Sequence, residues 1–245
     1  MTGFVLWLRS FAFNVGWYAG TAVFAVVGSP ILLLPRRCVL AWAHLWLGFC
    51  LGWLRLTCRL GHRLSGLENL PKGPAIIASK HQSTWETLAL ALLFPDVAIV
   101  LKRELLFIPV VGWAMARAGN ISVVRSEGST ALRSLLRQGR AVLDDGRSIL
   151  IFPEGTRVAV GAERPYHGGT AALYRQLGVP VVPVALNSGL FWGRRKFIKR
   201  PGTIDVEILP PIAPGLAREE FMATLRERIE TATKRLVSGA ETHSH

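Results

Sequence analysis

Residues 75–93 read AIIASKHQSTWETLALALL, and this stretch decides the fold. Its first five residues form an apolar run typical of a buried strand, and residues 84–93 carry the apolar spacing of a helix. Four polar residues, Lys80, His81, Gln82 and Ser83, stand between these two segments. A strand that leads directly into a helix indicates one unit of an α/β sheet.

The same alternation of strand and helix continues toward the C-terminus. The pattern predicts strands at 97–101, 121–124, 148–152, 181–186 and 203–209, and helices at 109–118, 130–143, 169–177 and 219–237. We therefore expect an α/β fold in which helices flank a mostly parallel or mixed sheet. Pro180 and Pro183 suggest that the strand at 181–186 is an edge strand or contains a bulge.

The N-terminal quarter differs in character. Residues 10–35 and 38–54 contain no charged side chain, and six of the eight tryptophans lie before residue 86. A membrane-spanning helix needs about 20 apolar residues, and indole rings favour the bilayer interface. We expect residues 1–60 to form a membrane-associated helical hairpin, either spanning or within one leaflet, and 61–245 to form the catalytic domain. A cleaved signal peptide followed by a core helix is the alternative.

Composition narrows the class of protein. Half of the 245 residues are hydrophobic, which excludes a disordered chain, and the formal net charge is +13. A basic, apolar protein suits a membrane that carries anionic lipid at least as well as it suits nucleic acid. The three cysteines cannot form a disulfide framework and lack metal-ligand spacing, so we expect a reducing, cytosolic exposure. Sequence signatures of serine hydrolases, P-loop enzymes, zinc proteases and dinucleotide-binding enzymes are absent.

His81 and Glu86 form the first candidate site. Five residues turn a helix by about 140° net, so the two side chains can meet only if His81 lies in the loop and Glu86 in the first helical turn. Glu86 would then hold one imidazole nitrogen protonated and leave the other free as a base. A capping box, formed by Ser83 and Glu86, is a structural alternative.

Further polar residues follow other predicted strands. Residues 152–157 read FPEGTR, in which a Pro-Gly turn presents Thr156 and Arg157 as donors to an anion. An ordinary turn with a solvated arginine is the alternative. Lys102, Arg103 and Arg125 also lie at or near strand ends, where they could gather a phosphate or be merely solvated.

In this order and spacing, these blocks resemble the glycerolipid acyltransferase superfamily, and within it the bacterial 1-acyl-sn-glycerol-3-phosphate acyltransferases. The resemblance covers residues 66–187. His81 to Glu86 matches the family's H-x4-D block, with Glu at 86 where the family pattern has Asp. Residues 102–125 match the basic block, 152–157 match FPEGTR letter for letter, and 179–183 match the proline-rich strand.

The resemblance implies acyl transfer from acyl-CoA or acyl carrier protein to the sn-2 hydroxyl of lysophosphatidate in the bilayer. It implies His81 as general base, Glu86 as its orienting partner, and no metal or cofactor. Arg157 is the first candidate for the substrate phosphate. The rest of the phosphate-binding group is Glu154 and Gly155, which shape the turn, with Thr156, Lys102, Arg103 and Arg125. The expected location is the inner (cytoplasmic) membrane, with the site facing the cytoplasm.

Two other functions stay open at this point. The acceptor could instead be glycerol-3-phosphate or a lyso-aminolipid, because pocket shape selects it. The chain could also be a non-enzymatic basic protein that binds membrane or nucleic acid, although we expect no nucleic-acid partner. The basic loop at 194–200 fits a membrane surface, an acidic carrier protein or solvent equally well.

Overall fold

The computed structural model describes residues 3–94, 96–124 and 128–242. Its helices are α1 (Gly3–Gly28), α2 (Arg36–Cys58), α3 (Trp85–Leu93), α4 (Val111–Arg117), α5 (Gly128–Asp144), α6 (Gly168–Leu177) and α7 (Arg218–Thr242). Its strands are β1 (Leu60–Ser65), β2 (Ile76–Ser79), β3 (Ala98–Lys102), β4 (Ile121–Val123), β5 (Ile149–Ile151), β6 (Val181–Leu186) and β7 (Gly202–Ile208). Strands alternate with helices from β2 to β6, and β7 and α7 follow, as the sequence pattern predicts.

All the strands join one mixed sheet in the order β1-β7-β6-β2-β5-β3-β4. The five strands from β6 to β4 run parallel to one another, whereas β7 pairs antiparallel with β6 and parallel with β1. The expected α/β architecture, with a mostly parallel or mixed sheet flanked by helices, is therefore confirmed. The sequence pattern missed β1, because this edge strand pairs only with β7 and buries only Leu60 fully.

The expectation of an edge position for β6 is wrong. β6 lies between β7 and β2 and is buried along its whole length. Its proline is tolerated because the antiparallel register changes by one residue beside it: Val184 pairs with Ile208, but Val181 pairs with Ile212. The Pro183 carbonyl still accepts the Leu209 N–H at 2.9 Å. A bulge in the pairing of β6 with β7 therefore accommodates the absent N–H of Pro183, although β6 is not an edge strand.

Alternate residues of each strand face opposite sides of the sheet and build two cores. Ile77 packs with Trp85 of α3 and Leu54 of α2 on one side. Ile76 packs on the other side, with side chains of α5, α6 and α7 that include Tyr174 and Phe221. Leu54 therefore places α2 in contact with the same core as β2 and α3.

The helical hairpin is held to the domain at both ends. Near the α1–α2 turn, Arg36 pairs with Asp96, and its Nε donates to the Ala118 carbonyl at 3.0 Å. At the other end, the Lys199 backbone N–H donates to Ser10 Oγ at 2.9 Å, and Lys199 Nζ donates to Asn14 Oδ1 at 3.0 Å. Burial lowers the pKa of Lys199 to about 8.

The outward face of α1 stays apolar and exposed along its length. Phe4, Tyr18, Val23 and Val26 are each at least 60% exposed. Both helices of the hairpin are long and apolar enough to cross a membrane, judged by length and composition alone. An exposed apolar face of this length is typical of a surface that contacts lipid.

Candidate active site

His81 and Glu86 meet in the loop that joins β2 to α3. His81 Nδ1 lies 2.8 Å from Glu86 Oε1, with His81 in the loop and Glu86 in the first turn of α3. The His81 ring stacks on Phe152, with ring centroids 4.1 Å apart. Nε2 has no hydrogen-bond partner among the residues that the structure describes. The longer side chain of Glu, where the family pattern has Asp, still reaches the imidazole.

Glu86 also caps α3, so the two interpretations of this residue are not exclusive. Its Oε1 accepts the backbone N–H groups of Gln82 and Ser83, both at 2.6 Å, while Ser83 Oγ accepts the Trp85 N–H at 3.1 Å. Its Oε2 accepts the hydroxyl of Ser188 at 2.8 Å. Glu86 and Ser188 are fully buried. Four donors therefore fix the carboxylate before any substrate arrives.

A buried ion cluster lies directly behind His81. Lys80 Nζ contacts Glu154 Oε1 at 2.6 Å and Glu230 Oε1 of α7 at 2.7 Å. Glu154 Oε2 accepts the backbone N–H of His81 at 2.8 Å, and Tyr166 donates its hydroxyl to Glu230 at 3.0 Å. Burial raises the pKa of Glu154, and the Lys80 ammonium opposes that shift. The cluster ties the His81 backbone to the C-terminal helix.

The FPEGTR turn packs against the same loop. The Val158 N–H donates to the His81 carbonyl at 2.8 Å, and Arg157 Nη1 donates to Thr84 Oγ1 at 2.6 Å. Gly155 adopts a φ of 64°, and a Cβ there would lie 2.5 Å from the His167 ring. Only glycine fits both the conformation and this close approach.

A cavity of about 880 Å³ opens beside His81. It extends between the hairpin and helices α3 to α6, and its walls are mainly apolar. The residues that line it include one glycine, Gly155, and three polar side chains, those of His81, Lys102 and His167. A large, mainly apolar space with an imidazole in its wall suits a substrate with a hydrocarbon chain and a reactive polar end.

The candidate phosphate ligands differ in exposure and in their partners. Arg157 and Thr156 are half-buried in the turn, whereas Lys102 pairs with Glu104 at 2.9 Å and Arg103 is exposed. Arg125 lies outside the described residues. Glu154, grouped above with the phosphate-binding residues, is fully buried and bonded to Lys80 and the His81 N–H. Its carboxylate oxygens are therefore occupied by contacts within the protein.

Sequence reasoning missed four residues of this site: Ser188, Glu230, Tyr166 and His167. Ser188 and Glu230 lie 102 and 150 positions from their partners, so no local spacing links them. The sequence shows Lys80 next to His81 at the strand end, but it does not show that Glu154 and Glu230 are the partners of Lys80. Among the described residues, no group of three His, Cys, Asp or Glu side chains could hold a metal ion.

Comparison with known proteins identifies the family. A family model described as acyltransferase matches residues 62–187, which include His81, Glu86 and the FPEGTR turn. The chain belongs to the acyltransferase family. A Pseudomonas aeruginosa 1-acyl-sn-glycerol-3-phosphate acyltransferase is 41% identical to this acyltransferase over 185 residues, which are 76% of this chain and 72% of the relative.

Two further relatives, one compared by sequence and one by structure, are also similar to this acyltransferase. The yeast (Saccharomyces cerevisiae) enzyme of the same name is 29% identical over 72% of this chain and 59% of its own length. The crystal structure of a Thermotoga maritima 1-acyl-sn-glycerophosphate acyltransferase has a TM-score of 0.76 at 22% identity, covering 94% of this chain and 96% of the other. The fold is therefore shared even where the sequence has diverged, and the expected class of activity, O-acyl transfer, is that of the named relatives.

Proposed function

We propose that this acyltransferase transfers a fatty acyl group from a thioester, acyl-CoA or acyl carrier protein, to the sn-2 hydroxyl of lysophosphatidate. The single observation that carries the proposal is the His81 imidazole, fixed by a buried carboxylate, in the wall of a large apolar cavity. The names of the similar proteins supply the acceptor, 1-acyl-sn-glycerol-3-phosphate.

The proposed step is direct attack by the substrate alcohol. His81 Nε2 takes the proton of the sn-2 hydroxyl while the oxygen bonds to the thioester carbonyl carbon. Collapse of the tetrahedral intermediate breaks the C–S bond, and the imidazolium returns its proton to the leaving thiolate. Glu86 holds the ring tautomer and stabilises the transient imidazolium, as the acid of a Ser-His-Asp triad does. The acceptor is itself the nucleophile, so no protein serine or cysteine takes part.

We propose that Arg157 binds the substrate phosphate and that Thr156 and Lys102 assist it. Arg157 is half-buried and held by Thr84, which reduces the rotamer freedom that it must lose on binding. Anchoring a phosphate beside His81 would place the hydroxyl for attack, and positioning of this kind lowers barriers by up to about 7–11 kcal/mol.

We also propose that residues 1–60 lie in one leaflet and serve the catalytic domain, residues 61–245. α1 is about 39 Å long at 1.5 Å per residue, longer than the hydrocarbon core of a bilayer. Both ends of the hairpin contact the same domain, through Arg36 and through Lys199. A spanning hairpin would have to separate one of these ends from the domain. An orientation toward the cytoplasm would give the site access to soluble acyl donors.

A panel assay tests the proposed reaction. Purified enzyme would receive lysophosphatidate, glycerol-3-phosphate or a lyso-aminolipid, each with acyl-CoA or acyl carrier protein, and products would be identified by mass. We expect phosphatidate to dominate. Transfer that is faster to either other acceptor would overturn the assigned substrate while retaining the chemistry.

Arg157→Ala is expected to raise KM for lysophosphatidate at least tenfold and to leave KM for the acyl donor within twofold, because the proposed partner of Arg157 is the phosphate of the acceptor and not a phosphate of the donor. Thr84→Val removes the Arg157 partner without removing the charge and serves as the matched control. Initial rates with each substrate varied in turn provide the measurement. An equal rise in both KM values would show that Arg157 acts structurally.

Ser188→Ala is expected to lower kcat about 10- to 100-fold, because a hydrogen bond to a charged group is worth about 1.5–3 kcal/mol. Ser188→Thr keeps the hydroxyl and is expected to retain most of the activity. The comparison is made at saturating substrate and over a range of pH. A Ser188→Ala enzyme with the normal kcat and pH profile would exclude Ser188 as a positioning residue for Glu86.

A further inference from the structure

A second apolar surface lies next to the turn of the hairpin. It is formed by Leu33 and Leu34 of the α1–α2 turn, Phe107 and Ile108 before α4, and Trp113 within α4, and we call it the turn face. Each of these side chains is between 44% and 87% exposed. Exposed apolar patches of this kind mark interaction sites in folded proteins.

Backbone contacts join the parts of the turn face. Arg117 of α4 donates from Nη2 to the Leu34 carbonyl at 2.7 Å, which holds the hairpin turn against α4. A Cβ on Gly112 would lie 2.5 Å from the carbonyl oxygens of Leu105 and Leu106, so the short 3-10 turn Arg103–Phe107 packs directly on α4. Trp113 and Arg117 are four residues apart and share one side of α4. The residues therefore form one surface.

The charges around the turn face are mostly positive. Residues 29–37 and 102–117 contain five cations, of which Arg36 pairs with Asp96 and Lys102 pairs with Glu104. Arg37, Arg103 and Arg117 are exposed. Aromatic and aliphatic side chains ringed by arginine suit the headgroup region of an anionic bilayer. A second copy of this chain also carries a net charge of +13, and electrostatic repulsion between the two copies disfavours self-association at this surface.

The catalytic cavity lies directly behind this surface. Ile31, Leu32, Leu105, Val110 and Val111 line the cavity and belong to the same two segments as the turn face. Phe107 and Trp113 do not line it. One thin layer of structure therefore separates the exposed surface from the cavity that His81 lines.

We propose that the turn face inserts into the headgroup region of an anionic bilayer, beside the hairpin, and delivers the lysolipid from the membrane to the cavity. The hairpin anchors the enzyme, and the turn face sets the rotation of the domain about that anchor. This inference rests on the proposed function, because it takes the acceptor to be a membrane lipid. It gives Arg37, Arg103 and Arg117 a role at the bilayer surface.

Site-specific photocrosslinking tests the contact with lipid. The photoreactive residue p-benzoylphenylalanine would replace Phe107 or Trp113 in the full chain, reconstituted in phosphatidylcholine vesicles with or without 30% phosphatidylglycerol. Leu67 is the matched control, because it is 56% exposed but follows β1 at the opposite edge of the sheet. We expect lipid adducts at positions 107 and 113, at least fivefold above position 67 and increased by the anionic lipid.

A kinetic assay provides a second test of the turn-face proposal. The double variant Phe107→Ser/Trp113→Ser is expected to lose at least fivefold in kcat/KM toward lysophosphatidate in vesicles and to keep its rate toward a short-chain, monomeric lysophosphatidate. Leu67→Ser should change neither rate.

The results separate the two proposals. Adduct levels at 107 and 113 equal to those at 67, or adducts with a second protein chain, would overturn the turn-face proposal. Equal losses of kcat/KM toward vesicle-bound and monomeric lysophosphatidate would also overturn the turn-face proposal. An enzyme that crosslinks to lipid as expected but transfers no acyl group to lysophosphatidate would overturn the proposed function alone.

Discussion

His81→Ala is expected to lower kcat about 10²- to 10⁴-fold, the usual contribution of a general base. Glu86 cannot take over as the base, because it is buried behind the ring and bonded to four donors. Folding should survive, since the ring is a partly exposed side chain at the cavity wall. Single-turnover rates and thermal unfolding of the same preparation provide the measurement.

Two companion variants sharpen this result. Glu86→Gln keeps an oxygen for the cap of α3 but removes the charge, so its loss of kcat measures the electrostatic part of the role. His62→Ala removes an exposed histidine of β1 that lies against Trp85, away from the cavity, and should keep full activity. Near-normal transfer by the His81→Ala enzyme would refute direct attack with a histidine base.

Lys80→Met is expected to cost about 3–5 kcal/mol of unfolding free energy and to lower kcat at least tenfold. The substitution leaves Glu154 and Glu230 facing each other without the ammonium between them, and removal of one partner from a buried ion pair is costly. Glu154 also holds the His81 N–H, so its displacement would move the base. Denaturant unfolding in detergent and kcat at saturating substrate report the two effects.

Matched variants separate charge from position. Lys234→Met removes an exposed lysine of the same α7 helix that pairs with Glu163, and should cost no more than about 1 kcal/mol. The triple variant Lys80→Met/Glu154→Gln/Glu230→Gln carries no buried charge in the cluster and should regain much of the stability but not the activity. If Lys80→Met unfolds like the wild type, the cluster does not hold the site together.

Much of the fold could be predicted because local patterns carry it. The strands at β2, β5 and β6 are apolar runs buried on both faces, and α3 and α5 show clear helical spacing, so their bounds agree within one or two residues. β1 could not be predicted because an exposed edge strand has no strong pattern of its own. The central position of β6 also escaped prediction, since its proline is tolerated only through a register change on β7.

The candidate site divides in the same way. The His81 and Glu86 contact follows from their spacing at a strand end, because the loop and the first helical turn bring residues five apart together. Ser188 and Glu230 come from distant parts of the chain. β6, which precedes Ser188, pairs with β2, and α7, which carries Glu230, packs against β6, so that only tertiary packing brings the two residues to the loop.

The sequence by itself determined the α/β class, the apolar hairpin, the imidazole–carboxylate pair and the FPEGTR turn. Each of these depends on neighbours within a few residues, and local geometry is encoded locally. Only the tertiary structure decided that Glu154 is a buried support, that Lys80 links it to α7, and that both ends of the hairpin rest on the domain. The physical reason is burial: whether a charge faces a substrate or a counter-ion depends on which distant segment covers it.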